Sequence, residues 1–308
     1  MMTAFITHAA CLEHVMSPDH PESPARLHAI EDRLRAAGIM DYLHPYAAPR
    51  ATRDQLARAH SQRHIDAIFH AAPHDGVVRI DPDTAMNPQT LEAALRAAGA
   101  AVLAADLVID DKERNAFCCV RPPGHHAERD RAMGFCFFNN VAVGIMHALE
   151  THGLQRVALI DFDVHHGNGS EDILADDPRV LMCSTFQYPL YPFKARPSVP
   201  GSLINVALPA GADGHDFRTA VKEEWLPQLE AFKPQMIFIS AGFDAHREDP
   251  LASLNLVEDD YGWVTKQVMH VAGRYANNRI VSTLEGGYAL SALGRSATVH
   301  IRTLLGIA

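Results

Sequence analysis

Cysteine is scarce in this chain, with five residues in 308, no CxxC pair and no regular spacing. That excludes a disulfide framework as the basis of the fold and suits reduced thiols in a reducing compartment. The adjacent pair Cys118-Cys119 sits in an apolar run and reads as core. No apolar run approaches the length of a membrane span, and the opening Met1-Met2-Thr3-Ala4-Phe5 lacks the basic and apolar regions of a signal peptide. The expectation is a cytoplasmic protein with no membrane partner. Positive charge is also short, 27 Lys and Arg against 37 Asp and Glu, a formal net charge of -10. That balance argues against direct nucleic-acid binding and tolerates a cationic substrate. Internal repeats, low-complexity tracts and linkers are lacking too, so a single domain over residues 1–308 is expected. Nothing in the pattern bears on oligomeric state.

Histidine is abundant, 19 residues with several in clusters, which points to metal chemistry. Around these clusters, apolar runs alternate with stretches of helical period. Strands are expected at residues 3–7, 116–120, 156–160, 180–185, 203–208, 236–240 and 279–284. Helices are expected from residue 25 onward with Ser23 as N-cap and Pro24 at the first turn, then at 53–69, 91–108, 141–150, 217–232, 261–277 and from 290 onward. Residues 8–24, 82–88 and 186–200 read as loops. The alternation implies a central parallel sheet flanked by helices on both faces, an architecture that binds ligands beyond the carboxyl ends of its strands.

Four strand ends carry polar clusters. After residues 156–160 comes Asp161-Phe162-Asp163-Val164-His165-His166-Gly167-Asn168-Gly169-Ser170. While the chain stays extended, Asp161, Asp163 and His165 share one face. Such groups are costly to bury unpaired, and a divalent cation would offset the cost; their types are those of zinc sites. After residues 116–120 comes Arg121-Pro122-Pro123-Gly124-His125-His126-Ala127-Glu128, whose prolines and glycine set a rigid turn. That turn presents His125 and His126 as a general acid–base pair, or is a surface loop that carries two histidines. Ser240-Ala241-Gly242-Phe243-Asp244-Ala245-His246 offers Asp244 as a third ligand or as a helix cap. Leu284-Glu285-Gly286-Gly287-Tyr288 allows close backbone approach and a phenol aimed at a ligand, though Gly-Gly-Tyr is also a common turn.

Together with Gly134-Phe135-Cys136-Phe137-Phe138-Asn139-Asn140, these motifs resemble, in order and from about His20 to Tyr288, the zinc-dependent histone deacetylase and acetylpolyamine amidohydrolase superfamily. Asn168 and Glu285 resemble its class II branch, of bacterial type. The resemblance implies an arginase/deacetylase-like α/β fold with its active site at the C-terminal edge of the sheet. It implies Asp163, His165 and Asp244 as ligands of one zinc ion. It gives His126 the role of general base, oriented by Asn168, and pairs His125 with Asp161 to stabilise charge and protonate the leaving amine. Tyr288 would donate to the oxyanion. A structural potassium ion would be held by backbone oxygens of Asp161, Asp163 and His165 with Ser184 and Thr185. Phe135 and Tyr191 would wall a narrow tunnel, with Gly134 and Gly287 beside it.

The chain departs from the family pattern after Tyr191-Pro192, where Phe193-Lys194-Ala195-Arg196-Pro197-Ser198 replaces a Gly-rich turn and places two cations near the entrance. Leu251 follows Asp249-Pro250 where polyamine-selective relatives can carry a glutamate, which favours acyl-lysine or a plain acylamine. Asp83 resembles a residue that grips the substrate backbone and also reads as a loop aspartate. The expected activity is removal of acetyl or other short acyl groups from lysine side chains or alkylamines. The alternatives are an acetylpolyamine deacetylase and a catalytically weak acyl-lysine-binding protein, the latter disfavoured by the retention of Tyr288 and both histidines. An arginase-type site would need more aspartates beside Asp244 for a second metal. A phosphoesterase would need an anion-binding Gly-rich loop, and the chain supplies neither.

Overall fold

The apolar runs pair side by side in a computed structural model that describes residues 2–307. In chain order the strands are β1 (Thr3–Thr7), β2 (Leu43–Ala47), β3 (Val78–Arg79), β4 (Ala85–Met86), β5 (Asn115–Cys118), β6 (Val157–Asp161), β7 (Val180–Gln187), β8 (Leu203–Leu208), β9 (Met236–Ala241) and β10 (Ile280–Leu284). Eight of them form a sheet in the order β2-β1-β5-β10-β9-β6-β7-β8, with every neighbouring pair parallel. β3 and β4 make a small separate antiparallel hairpin. Every residue of β5, β6, β7, β9 and β10 is buried, as expected of strands covered on both faces.

The helices are α1 (Ala10–Glu13), α2 (Ala25–Ala36), α3 (Arg53–Ala59), α4 (Gln62–Ala71), α5 (Thr90–Ile109), α6 (Asn140–Glu150), α7 (Asn168–Leu174), α8 (Gly214–Ala220), α9 (Leu226–Phe232), α10 (Glu258–Tyr275) and α11 (Leu290–Leu305), with a π-helical turn at Val221–Trp225 joining α8 to α9. α5 buries a continuous alanine face, where small side chains with high helix propensity allow close packing on α6. The arrangement is the α/β architecture expected from the alternation of strands and helices.

Some local expectations needed correction. The helix expected at residues 53–69 is two helices, because His60 adopts an extended backbone and Ser61 caps α4 by accepting from the His64 N–H at 3.2 Å. The His60 ring holds this break: its Nδ1 faces the Glu128 carbonyl at 3.0 Å and its Nε2 accepts the Asn139 N–H at 2.8 Å. Ser23 makes no side-chain cap; Pro24 itself is the cap residue of α2. The loops expected at residues 8–24 and 82–88 contain α1 and β4, and β2 was not foreseen. β2 carries His44, Pro45 and Tyr46, a sequence tolerated because β2 is an edge strand.

The four central neighbours in the sheet, β5-β10-β9-β6, are the four strands whose ends carry the polar motifs. Their adjacency gathers residues more than 160 positions apart at one edge.

Candidate active site

β6 ends at Asp161, and the chain beyond it turns back on its own carboxylates. Asp161 Oδ1 accepts the Asp163 N–H at 3.1 Å, and Asp163 Oδ1 accepts the His165 N–H at 2.9 Å. β9 lies beside β6 and delivers Asp244, whose Oδ1 accepts the Val164 N–H at 2.9 Å. β10 delivers Gly286, whose N–H donates to Asp163 Oδ2 at 2.8 Å. His165 Nδ1 then stands 3.1 Å from Asp163 Oδ1 and 3.2 Å from Asp244 Oδ2.

One ligating atom from each of Asp163, His165 and Asp244 lies within 4.8 Å of the others. Both aspartates are buried, and His165 keeps 12 % of its side chain accessible. Asp244 Oδ2 is buried and, among the described residues, has only the nearby His165 Nδ1 beside it, in a geometry that makes no hydrogen bond. Burial and the neighbouring Asp163 push the Asp244 carboxyl up to about 7. The Asp163 carboxyl, although buried, is held below the usual range by His125 and His165. An orphaned carboxylate oxygen, a second carboxylate and an imidazole converging in a buried site fit a divalent cation, and the two-oxygen, one-nitrogen set fits zinc.

A second group of ligating type, Asp106, His147 and His152, lies on α5 and at the end of α6. Arg58 donates from Nη1 to His147 Nδ1 at 2.9 Å, so the His147 proton is on Nε2, where it donates to Asp106 at 2.7 Å. With no free lone pair on His147, this group is a hydrogen-bonded strut between helices.

The turn after β5 places His125 and His126 against this site with ring centroids 4.1 Å apart. His125 Nδ1 is 3.1 Å from Asp161 Oδ2, and its Nε2 is 3.8 Å from Asp163 Oδ2. Burial opposes protonation of His125, but Asp163 and Asp161 outweigh it and carry its pKa up to about 10. His126 Nδ1 is 2.8 Å from Asn168 Oδ1. Burial first, then His125 and His165, hold His126 well below the ordinary histidine value, so its ring is neutral. Two adjacent histidines are thus driven in opposite directions, the pattern that separates an acid from a base.

Glu285, which the sequence marked only by its likeness to the class II branch, holds this turn in place. Its Oε2 accepts the N–H groups of Gly124 at 2.7 Å and His125 at 3.1 Å, and burial raises its carboxyl to about 7. A further buried cluster braces both turns and was missed. Glu22 accepts from Arg121 Nη2 at 2.7 Å and from Arg26 Nη1 at 3.1 Å, and all three side chains are inaccessible. Arg26 also donates to the carbonyls of Gly287, at 2.7 Å, and Glu285. The one available signal was the Glu22, Arg26 spacing of four at a helix start.

Above the site lies a narrow cavity of about 230 Å³ lined by His126, His165, Phe135, Tyr191, Leu251 and Tyr288, with Gly134, Asp83 and Leu190 completing it. Tyr191 meets His126 edge-on at 5.1 Å, and Phe135 meets Tyr288 edge-on at 6.0 Å. Phe135 holds φ at +68°, a strained conformation for an aromatic residue, and its N–H is tied to Thr84 Oγ1 at 3.0 Å. His20, not singled out in the sequence, packs edge-on against Phe135 at 4.6 Å. Tyr288 is partly buried in the cavity wall.

Gly287 is not part of the cavity lining; its carbonyl is occupied by Arg26. Ser184 pairs in register with Asp161 on the adjacent β7, followed by Thr185, and both are buried. The two rim cations are already paired, Lys194 with Glu128 and Arg196 with Asp176, each at 2.8 Å.

The comparisons with known proteins converge on one family. Residues 20–304 match the model of the histone deacetylase domain. A "probable deacetylase" of Archaeoglobus fulgidus is 35% identical over 301 residues, covering 94% of this chain and 82% of that protein. A "histone deacetylase-like amidohydrolase" of Pseudomonas aeruginosa is 36% identical over 312 residues, covering 93% and 82%. The crystal structure of the HDA15 HD domain superposes with a TM-score of 0.92 at 34% identity, covering 100% of this chain and 89% of that one. The chain belongs to the histone deacetylase family and carries its α/β fold.

Proposed function

We propose that this protein is a zinc-dependent amidohydrolase that removes acetyl or other short acyl groups from lysine side chains or alkylamines. The observation that carries the proposal is the buried group of Asp163, His165 and Asp244, with its orphaned carboxylate oxygen, at the floor of a narrow aromatic-walled cavity. The names of the relatives, deacetylase and amidohydrolase, support the reaction class. Asp163, His165 and Asp244 would hold the zinc ion, which supplies polarisation of the acyl carbonyl and a more acidic water.

The chain's own groups do the rest. Neutral His126, its Nδ1 engaged by Asn168, keeps Nε2 free to accept a proton from water. His125, paired with Asp161, is the proton source for the departing amine. The Tyr288 hydroxyl donates to the oxygen on which negative charge develops. Phe135 and Tyr191 sandwich the methylene chain, Gly134 leaves room beside His126, and Leu251 and Asp83 meet the substrate at the rim. Asp161, Asp163 and His165, with Ser184 and Thr185, would lend oxygens to a potassium ion behind the zinc site.

The test is a turnover panel with zinc-loaded protein, comparing acetyl- and trifluoroacetyl-lysine peptides with acetylated putrescine, cadaverine and spermidine. About one zinc per chain, hydrolysis of the lysine reporters and inhibition by hydroxamates are expected. Metal-loaded protein that cleaves none of these amides would sink the proposal. Turnover of the acetylpolyamines alone would move the substrate assignment to that class.

A further inference from the structure

A rim lysine is connected to the buried His126 through two intervening side chains. Lys194 Nζ donates to Glu128 Oε1 at 2.8 Å, Asn168 Nδ2 donates to the same oxygen at 2.8 Å, and Asn168 Oδ1 faces His126 Nδ1 at 2.8 Å. A primary amide has a donor end and an acceptor end of nearly equal size, so its own shape does not decide which end meets the imidazole. The choice matters chemically. With Oδ1 toward the ring, the His126 proton sits on Nδ1 and Nε2 keeps a lone pair. With the amide reversed, Nδ2 would donate to Nδ1, the proton would move to Nε2, and no base would remain.

Glu128 resolves the choice, because a carboxylate has only acceptors and admits only the donor end of Asn168. The His126 carbonyl and Met133 Sδ also face Asn168 Nδ2, but each at 3.4 Å and without charge. Glu128 is 16 % exposed, so its hydrogen bond is partly shielded from water and charge-assisted.

We propose that Glu128 is a positioning residue that sets the tautomer of His126 by locking the Asn168 amide, and that Lys194 pins Glu128 from the rim loop. The inference rests on the reading of His126 as the base. The same loop that departs from the family pattern thereby reaches the reaction centre through Lys194.

The test uses Glu128→Leu in two backgrounds. In the natural background kcat should fall about tenfold with KM little changed, equivalent to about 1.4 kcal/mol and at the low end of what a hydrogen bond to a charged group contributes. In the Asn168→Asp background both oxygens at position 168 accept, so no orienting partner is needed and the fall should vanish. Glu128→Gln, whose amide oxygen can still accept from both Lys194 and Asn168, should recover most of the loss. Long-range 1H–15N spectra of histidine-labelled, zinc-loaded protein, with His126 identified from His126→Phe, should show its proton moving from Nδ1 to Nε2 in Glu128→Leu alone. That spectrum needs no turnover, so absent activity would count against the proposed function while the tautomer still judges the positioning. An unmoved tautomer, an unchanged kcat or an equal loss in both backgrounds would overturn the inference. Should Glu128→Leu fail to fold, Glu128→Ala serves for the same comparison.

Discussion

Asp249 Oδ2 accepts the backbone N–H of Tyr288 at 2.7 Å and that of Ala289 at 3.2 Å. From the other side, the Arg26 guanidinium lies 5.0 Å from the Tyr288 ring centroid. The phenol is therefore held from both its backbone and its ring face. Asp249→Ala is expected to lower kcat about tenfold, the equivalent of a lost charge-assisted hydrogen bond, while metal content stays at the natural level. Metal analysis beside steady-state kinetics checks this. Concurrent loss of the metal would assign Asp249 to the site's integrity instead.

Tyr288→Phe removes only the hydroxyl. By analogy with other oxyanion donors, the rate should fall about 100-fold with zinc content intact. Equal turnover in that variant would remove Tyr288 from the mechanism.

Gly286 tolerates no side chain. A Cβ there would lie 2.7 Å from Asp163 Oδ2 and closer still to Asp244 Oδ2, and both carboxylates belong to the candidate metal site. Gly286→Ala is expected to abolish zinc retention through dialysis, as is Asp163→Ala. Full metal occupancy in Asp163→Ala would mean that the ligand set is wrong.

Asp244 and Glu285 should give the stability of the metal-free protein a pH-dependent contribution of definite sign. Asp244 and Glu285 are both raised to about 7 in the folded chain, well above their unfolded values near 4. Their protonated forms therefore favour the fold below about pH 4, and this contribution is lost as pH rises through about 7. Zinc held by Asp244 would displace that proton and offset its share of the loss, whereas Glu285 lies outside the ligand group. Melting with a chelator should show a larger zinc-induced rise in Tm at pH 8 than at pH 5. The reverse order would contradict a carboxylate-held cation.

Glu22 is fully buried between Arg121 and Arg26, and despite its burial Arg121, His14 and Arg26 hold its carboxyl well below the usual range. Glu22→Gln leaves two guanidinium groups short of a counter-charge. It should destabilise the protein by about 3 kcal/mol in denaturant titrations at neutral pH. The contribution of Glu22 is present above the ordinary carboxylate range and is lost as pH falls, so the variant should differ least from the natural protein in acid.

The polar motifs were legible because each directly follows an apolar run that could only be a buried strand, and charge has no reason to stand there without a ligand. Asp161, Asp163 and His165 share one short segment, so their proximity was expected, but the chain bends after Asp161 and only Asp163 and His165 join the ligand group. Asp244 and Tyr288 could be suspected only from strand-end position, since their approach depends on β9 and β10 lying between β5 and β6. The supporting residues were harder. Glu22, Glu128, Asp249 and Glu285 look like ordinary helix-start or loop carboxylates in the sequence. Each acquires its role from a partner that the sheet brings near, as Glu22 meets Arg121 across 99 positions. The break at His60 escaped because Ala57, His60, His64 and Ile68 keep helical spacing across it. The bonds from its ring to Glu128 and Asn139 hold the interruption, and the spacing does not show them.

The sequence by itself determined the alternating α/β plan and the chemical types at the strand ends, because periodicity and residue type are local properties. Strand order and side-chain orientation belonged to the tertiary structure alone. They decided that four distant turns share one edge, that Asp244 is left with an orphaned oxygen, and which end of Asn168 faces His126. Such outcomes depend on long-range pairing and on the hydrogen-bond needs of buried groups, which no window of sequence contains.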